Sequence, residues 1–154
     1  YLKDFGREAG GNDIHNKFGI NSKFTDLQAI IGLAQFEDLE QRIHHKRSLF
    51  ERYKANLSKV DGIKLVENDT RYVTPWFYEI LCDNPQKIKD ALTKFEIGFR
   101  PMYPPINSQK SVNVEGKFPV STYVGKQGLW LPSSSNLTMQ QIDFICDVIS
   151  QKQL

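Results

Sequence analysis

The stretch GIKLVENDTRYVTPWFYEILCDNPQKIKDALTKF, Gly62 to Phe95, holds two short runs rich in branched and aromatic residues and then a helix signal. Ile63 to Val66 and Trp76 to Leu81 have the length and composition of β-strands. Asn84-Pro85 supplies a capping side chain and a proline at the first helical position, which predicts a helix running to about Phe95. Downstream, Gly98 follows that helix, and Phe99 to Tyr103 predicts a third extended segment stopped by Pro104-Pro105. A loop to Gly116 leads to a short helix near Val120 to Lys126 and a small strand at Leu129 to Leu131. The last helix is capped by Thr138-x-x-Gln141, with Met139, Ile142, Ile145, Cys146 and Ile149 as its buried stripe.

Upstream of the quoted stretch, Thr25-Asp26-Leu27-Gln28 fits a capping box. Leu27, Ile31, Ala34, Leu39, Ile43, Phe50, Tyr53 and Leu57 recur at roughly helical spacing, opposite Glu37, Glu40, Arg42, Lys46 and Arg47. One very long helix, or two in line, is therefore expected to end before Asp61-Gly62. The residues before it, with Gly6, Gly10, Gly11 and Gly19, read as an irregular connector with little to fold around. The whole order predicts an α+β domain: an antiparallel sheet with helices packed mainly on one face, preceded by a long helix.

With 154 residues, 40% hydrophobic and 25% charged, the chain can bury one sizeable core but not two. Its 20 basic and 18 acidic residues are spread along the chain, which argues against nucleic acid or an anionic membrane as a partner. No segment approaches the ~20 apolar residues of a membrane span. Cys82 and Cys146 form no Cys-x-x-Cys and read as buried free thiols, which favours a reducing, cytoplasmic setting. The start at Tyr1, without Met or a signal-peptide pattern, reads as a piece of a longer chain.

No Gly-rich phosphate loop, Ser-His-Asp set, His-Glu-x-x-His or paired-Cys zinc pattern occurs. His44 and His45 are adjacent, so on a helix they diverge by about 100 degrees, and no metal site is expected. His15 reads as an exposed polar residue. The turn Gly19-Ile20-Asn21-Ser22-Lys23 admits two readings. It is either an anion site built from backbone and amide N–H groups beside a helix N-terminus, or an ordinary helix entry with Gly19 or Asn21 left-handed. Arg100-Pro101-Met102-Tyr103-Pro104-Pro105 is likewise either a phosphate clamp or a strand end with a surface Arg. Trp76 and Trp130 read as core residues rather than stacking platforms.

Taken in order, the Gly-Ile-Asn-Ser-Lys turn, the Thr-Asp-Leu-Gln-Ala-Ile-Ile-Gly-Leu-Ala-Gln helix and the basic stretch ending at Tyr53 resemble the DegT/DnrJ/EryC1/StrS sugar aminotransferases. The resemblance continues through WFYEIL, GFRPMYPPINSQ and FPVSTYVGKQGLWLPSSSNLTMQQIDFI. It implies the C-terminal part of a fold type I enzyme that uses pyridoxal 5'-phosphate. Residues 1–24 would be the connector from a missing cofactor-binding domain, and 25–154 the small C-terminal domain with its long linking helix. The implied reaction moves an amino group from an amino acid such as glutamate to a nucleotide-linked 4-keto-6-deoxy sugar, perosamine-like, in polysaccharide precursor synthesis.

The family's cofactor-bearing Lys would lie upstream of Gly6-Arg7. No Lys here matches it, so the resemblance implies no catalytic residue in this chain and an inactive fragment. It further implies a homodimer with shared active sites. Asn21 matches the Asn that reaches the cofactor phosphate of the neighbouring subunit, and Lys23 stands where many members have Arg. Arg100, Tyr103 and Asn107 fall on the substrate side. Asn107 replaces a frequent His and can donate a hydrogen bond without carrying a proton. A sugar 3-dehydratase, with His in place of that Lys, and a non-catalytic binding or regulatory module are the alternatives.

Overall fold

The structure is a computed structural model that describes residues 2–8, 15–112 and 114–150. Its helices begin where the sequence supplies caps. Thr25 opens α1 (Asp26–Glu37), its backbone N–H donating to the Gln28 side chain at 2.9 Å while the Gln28 N–H donates to the Thr25 hydroxyl at 3.3 Å. Asp38 closes α1, and α2 (Leu39–Leu57) follows, so the long apolar periodicity is carried by two helices. Asn84 caps α3 (Pro85–Lys94) by accepting from the Lys87 N–H at 3.1 Å. The last two helices are α4 (Pro119–Gln127) and α5 (Met139–Ile149), the latter with the expected Thr138/Gln141 box.

The chain divides into two units, one ending at Glu40 and the other beginning at Gln41. In the first, the segment before Arg7 runs antiparallel to the segment after His15, with Asp4 opposite Asn21 and Arg7 opposite His15. The expected irregular connector is thus paired against itself. Backbone bonds from Phe5 N–H to the Ile20 carbonyl at 3.1 Å and from Ile20 N–H to the Leu2 carbonyl at 2.8 Å hold the pairing. No residue of α1 is buried. Leu27, Ile31 and Ala34 form the apolar face expected from their spacing, and periodicity identifies such a face without identifying what covers it.

The second unit carries the sheet. Strands β1 (Ile63–Leu65), β2 (Tyr78–Cys82), β3 (Arg100–Pro101) and β4 (Gly128–Leu131) are all antiparallel, in the order β1-β2-β4-β3. Tyr78, Ile80, Cys82, Leu129 and Leu131 point to one face, where Leu49, Phe50, Tyr53 and Leu57 of α2, Ile88 and Leu92 of α3, and Ile142, Ile145 and Ile149 of α5 complete the core. Two tyrosines are buried here, each with its hydroxyl satisfied. Tyr53 donates to the Pro132 carbonyl at 3.0 Å and Tyr78 to the Lys46 carbonyl at 2.9 Å. Burial pushes both phenols up and out of the physiological range. Cys82 and Cys146 are free and buried, with thiols pushed up by burial to about 11 and about 12.

Helix α4 lies on the opposite sheet face, at one end. Gly128 makes room for it, because a Cβ there would stand 2.6 Å from the Val124 carbonyl oxygen and 2.4 Å from the Met102 sulfur. No helix among the described residues is long and apolar enough to cross a membrane.

Helices α2 and α5 are also tied at the surface. Arg52 donates to both oxygens of Asp143, from Nε at 2.6 Å and Nη2 at 2.7 Å, and Asn56 adds a third bond at 2.7 Å. The Arg52 guanidinium, then Asn56, hold the Asp143 carboxyl below its usual range. A carboxyl with a depressed folded pKa stabilises above its unfolded pKa and loses that contribution as pH falls through the folded value. Asp143→Asn should therefore lower the urea midpoint slightly at neutral pH. The difference from wild type should close as the pH is taken below the carboxylate range. A gap that persists in acid would show that the residue acts through packing instead.

Candidate functional site

The turn carrying Asn21 is built by close backbone approach. Neither Gly19 nor Asn21 is left-handed; Phe5 and Gly6, at φ 53° and 77°, take that conformation on the opposite segment. Gly19 is needed for a different reason, because a Cβ there would fall 2.1 Å from the Gly6 nitrogen. The pairing uses up backbone donors: Ser22 N–H donates to the Lys3 carbonyl at 2.9 Å, and the capping box takes those of Thr25 and Gln28. The N–H groups of Ser22, Thr25 and Gln28 are thus committed within the fold. The Asn21 side-chain amide is exposed and without a hydrogen-bond partner among the described residues.

Lys23 lies in the same cluster. Its ammonium is 3.2 Å from Asp4 Oδ1, which Arg7 also engages at 2.6 Å. Arg7 and then Lys23 hold the Asp4 carboxyl below its usual range. Asp4 thus gathers the Arg7 and Lys23 side chains opposite Asn21, its bridge partner, and cationic donors of this kind suit an anionic oxygen group. His15, exposed as expected, bonds through Nδ1 to the Phe5 carbonyl at 2.8 Å. Asp4 and Arg7 escaped the reading of the sequence because they reach Lys23 only through pairing of two segments, which no local periodicity announces.

In the second unit, Arg100 pairs with Trp130 across β3 and β4. Its guanidinium carbon lies 4.7 Å from the Tyr103 ring centroid and 5.5 Å from that of Trp130, and the two rings meet edge to face at 4.8 Å. Arg100 has no carboxylate partner among the described residues, so its planar donor fork is open. Asn107, half-buried in a 3-10 turn at Ile106–Ser108, makes no side-chain hydrogen bond among the described residues. The structure brings Arg100 and Tyr103 together and gives Asn107 no bond to either. Gly125 of α4 lets this loop pass, since a Cβ there would stand 2.9 Å from Pro105 and 3.1 Å from the Tyr103 carbonyl oxygen.

The expectation that Trp76 and Trp130 are core residues is corrected. Trp76 is 78% exposed, and Trp130 is half-buried on the outer sheet face, opposite the core. Strand parity carried the signal for Trp130, since Leu129 and Leu131 face inward; Trp76 lies before β2 begins at Tyr78, outside the strand's alternation. No group of three or more His, Cys, Asp or Glu is placed to hold a metal among the described residues. His45 bonds instead to the Leu137 carbonyl at 3.1 Å.

A sequence profile described as the DegT/DnrJ/EryC1/StrS aminotransferase family matches residues 1–150. The chain belongs to this family. EpsN of Bacillus subtilis (strain 168) is 28% identical over 97% of the chain, and the GDP-perosamine synthase of Escherichia coli O157:H7 is 28% identical over 89%. The chain spans 41% and 38% of the lengths of those two relatives, well under half. A crystal structure of a DegT DnrJ EryC1 StrS aminotransferase from Brucella abortus superposes with a TM-score of 0.81 at 25% identity, covering 96% of this chain and 40% of that one. The α+β fold is accordingly that of the matching part of fold type I aminotransferases, and within the DegT/DnrJ/EryC1/StrS family the free amide of Asn21 acquires a context.

Proposed function

We propose that this chain is the C-terminal portion of a pyridoxal-phosphate-dependent nucleotide-sugar aminotransferase. In the whole protein it would help move an amino group from an amino acid, glutamate in our reading, to a nucleotide-linked 4-keto-6-deoxy sugar of polysaccharide precursor synthesis. Residues 1–24 connect to the cofactor-binding domain, and 25–154 form the small domain. The enzyme is a cytoplasmic homodimer with shared active sites, and the fragment alone is inactive because it supplies no group that bonds the cofactor covalently.

The observation that carries this reading is the unpartnered Asn21 amide beside Lys23, held by Asp4 in a cluster with Arg7. These residues fit a phosphate: one neutral donor with its hydrogen bonds free, and the Lys23 ammonium close by in sequence. When bound, pyridoxal phosphate supplies the electron sink that makes nitrogen transfer possible. The chain's part is to anchor its phosphate through Asn21, with Lys23 balancing charge. Arg100 and Tyr103 bind the nucleotide-sugar substrate, Arg100 through its open donor fork, and Asn107 offers a further hydrogen bond.

In the full-length enzyme, Asn21→Ala removes a hydrogen bond to a charged group, an interaction of about 1.5–3 kcal/mol. Cofactor affinity should fall by about tenfold to 150-fold, read from absorbance of the protein-bound cofactor after dialysis. Retention equal to wild type would remove the phosphate role.

A further inference from the structure

The outer sheet face of the second unit carries rings that the core does not use. Register sets Glu79, Trp130 and Arg100 side by side on that face, across β2, β4 and β3. Phe77 stacks on Trp130 at 4.6 Å and 16°, and Trp76 stacks on Phe77 at 5.2 Å and 7°, giving three nearly parallel rings. Tyr103 closes the Trp130 end edge-on, and the Trp76 end is open.

The open ring is held in place. Pro75 before it is buried, and Lys46 donates to the Trp76 carbonyl at 2.9 Å and to the Ser133 carbonyl at 2.6 Å, pinning the backbone from α2. Lys46 also lies 4.9 Å from the Tyr78 ring centroid. A ring fixed on one face and bare on the other is ready to continue an offset stack with a planar aromatic ligand at little ordering cost. Arg100, on the same sheet face, offers an uncommitted fork to an anionic group. A ligand that uses both features joins an aromatic heterocycle to phosphate. A sugar phosphate has no planar aromatic ring to continue the stack, and an uncharged aromatic has no use for Arg100.

We infer that Trp76 is a stacking platform for the nucleobase of a nucleoside diphosphate group, kept flat by Phe77 and Trp130, with Arg100 taking phosphate charge. The inference rests on the nucleotide-linked substrate proposed above and names the residues that select its nucleotide end.

The test titrates the 154-residue chain with guanosine diphosphate, uridine diphosphate and inorganic pyrophosphate, followed by calorimetry and tryptophan fluorescence. Both nucleotides should bind more tightly than pyrophosphate. Trp76→Ala should weaken the nucleotides by about 10- to 100-fold, the range of one base–aromatic stack, and leave pyrophosphate unchanged. Trp76→Phe should retain most of the affinity, and Arg100→Ala should weaken all three ligands. The inference is overturned if Trp76→Ala binds nucleotides like wild type, if pyrophosphate binds as tightly as they do, or if neither nucleotide binds at millimolar concentration. These titrations need no cofactor. Their failure alongside cofactor loss in full-length Asn21→Ala removes the platform alone, whereas their success alongside full cofactor retention in that variant removes the phosphate anchor alone.

Discussion

Phe50→Ala should unfold the second unit at urea concentrations where wild type is still folded. Phe50 is fully buried in α2, its ring centroid 6.2 Å from that of Tyr78 on the central strand β2. Truncation removes the transfer free energy of an aromatic ring and leaves a cavity that a helix packed on a sheet cannot close, together about 3–5 kcal/mol. A domain's entire stability is about 5–15 kcal/mol, so the loss is of the same order as the total. Urea titration should show a much lower midpoint with an unchanged slope. Tyr53→Phe is the milder companion: it keeps the ring and leaves the Pro132 carbonyl without its donor, for about 1 kcal/mol. Equal midpoints for Phe50→Ala and wild type would mean that α2 does not pack on the sheet as described.

The second large effect falls on the first unit, and it touches no functional group. Gly19→Ala puts a Cβ 2.1 Å from the Gly6 nitrogen and 2.6 Å from the Phe5 carbonyl carbon, both backbone atoms that cannot rotate away. The two segments must part. The bonds at risk are those from Phe5 N–H to Ile20 and from Ile20 N–H to Leu2, which flank the approach. At about 1 kcal/mol each, with the Lys23–Asp4 pairing loosened as well, the expected loss of cofactor affinity in the full-length enzyme is about tenfold or more. Asn21 itself would be untouched, so the result would show that the amide works only from a paired turn. If Gly19→Ala holds the cofactor like wild type, the turn is not the anchor's scaffold.

Much of the fold was legible because its signals are local. The Thr25, Asn84 and Thr138 caps set helix starts within a residue, and the branched and aromatic run at Trp76–Leu81 located β2. The strand at Arg100 shrank to two residues because Pro101 and the prolines after Tyr103 leave few donors to extend it. The candidate site was less legible. Its two predicted loops could be found by residue type, but Lys23 is committed to Asp4 by long-range pairing, and the Asn21 amide stands free only because backbone bonds elsewhere satisfy the turn. The exposure of Trp76 reverses the usual equation of tryptophan with core. Trp76 belongs to the aromatic run by composition but lies before β2 begins, and composition alone does not say where the strand starts.

Pro101 also bears on how the sheet meets other chains. Met102 N–H donates inward to the Gly128 carbonyl at 3.0 Å, so by strand alternation the nitrogen of Pro101 faces away from β4, toward the free side of β3. That nitrogen carries no hydrogen. The border strand therefore lacks an outward donor at the one place where an intruding strand would seek it, and at two residues it is too short to template one. On that side the sheet is terminated chemically, which guards a solvent-facing edge against runaway self-association.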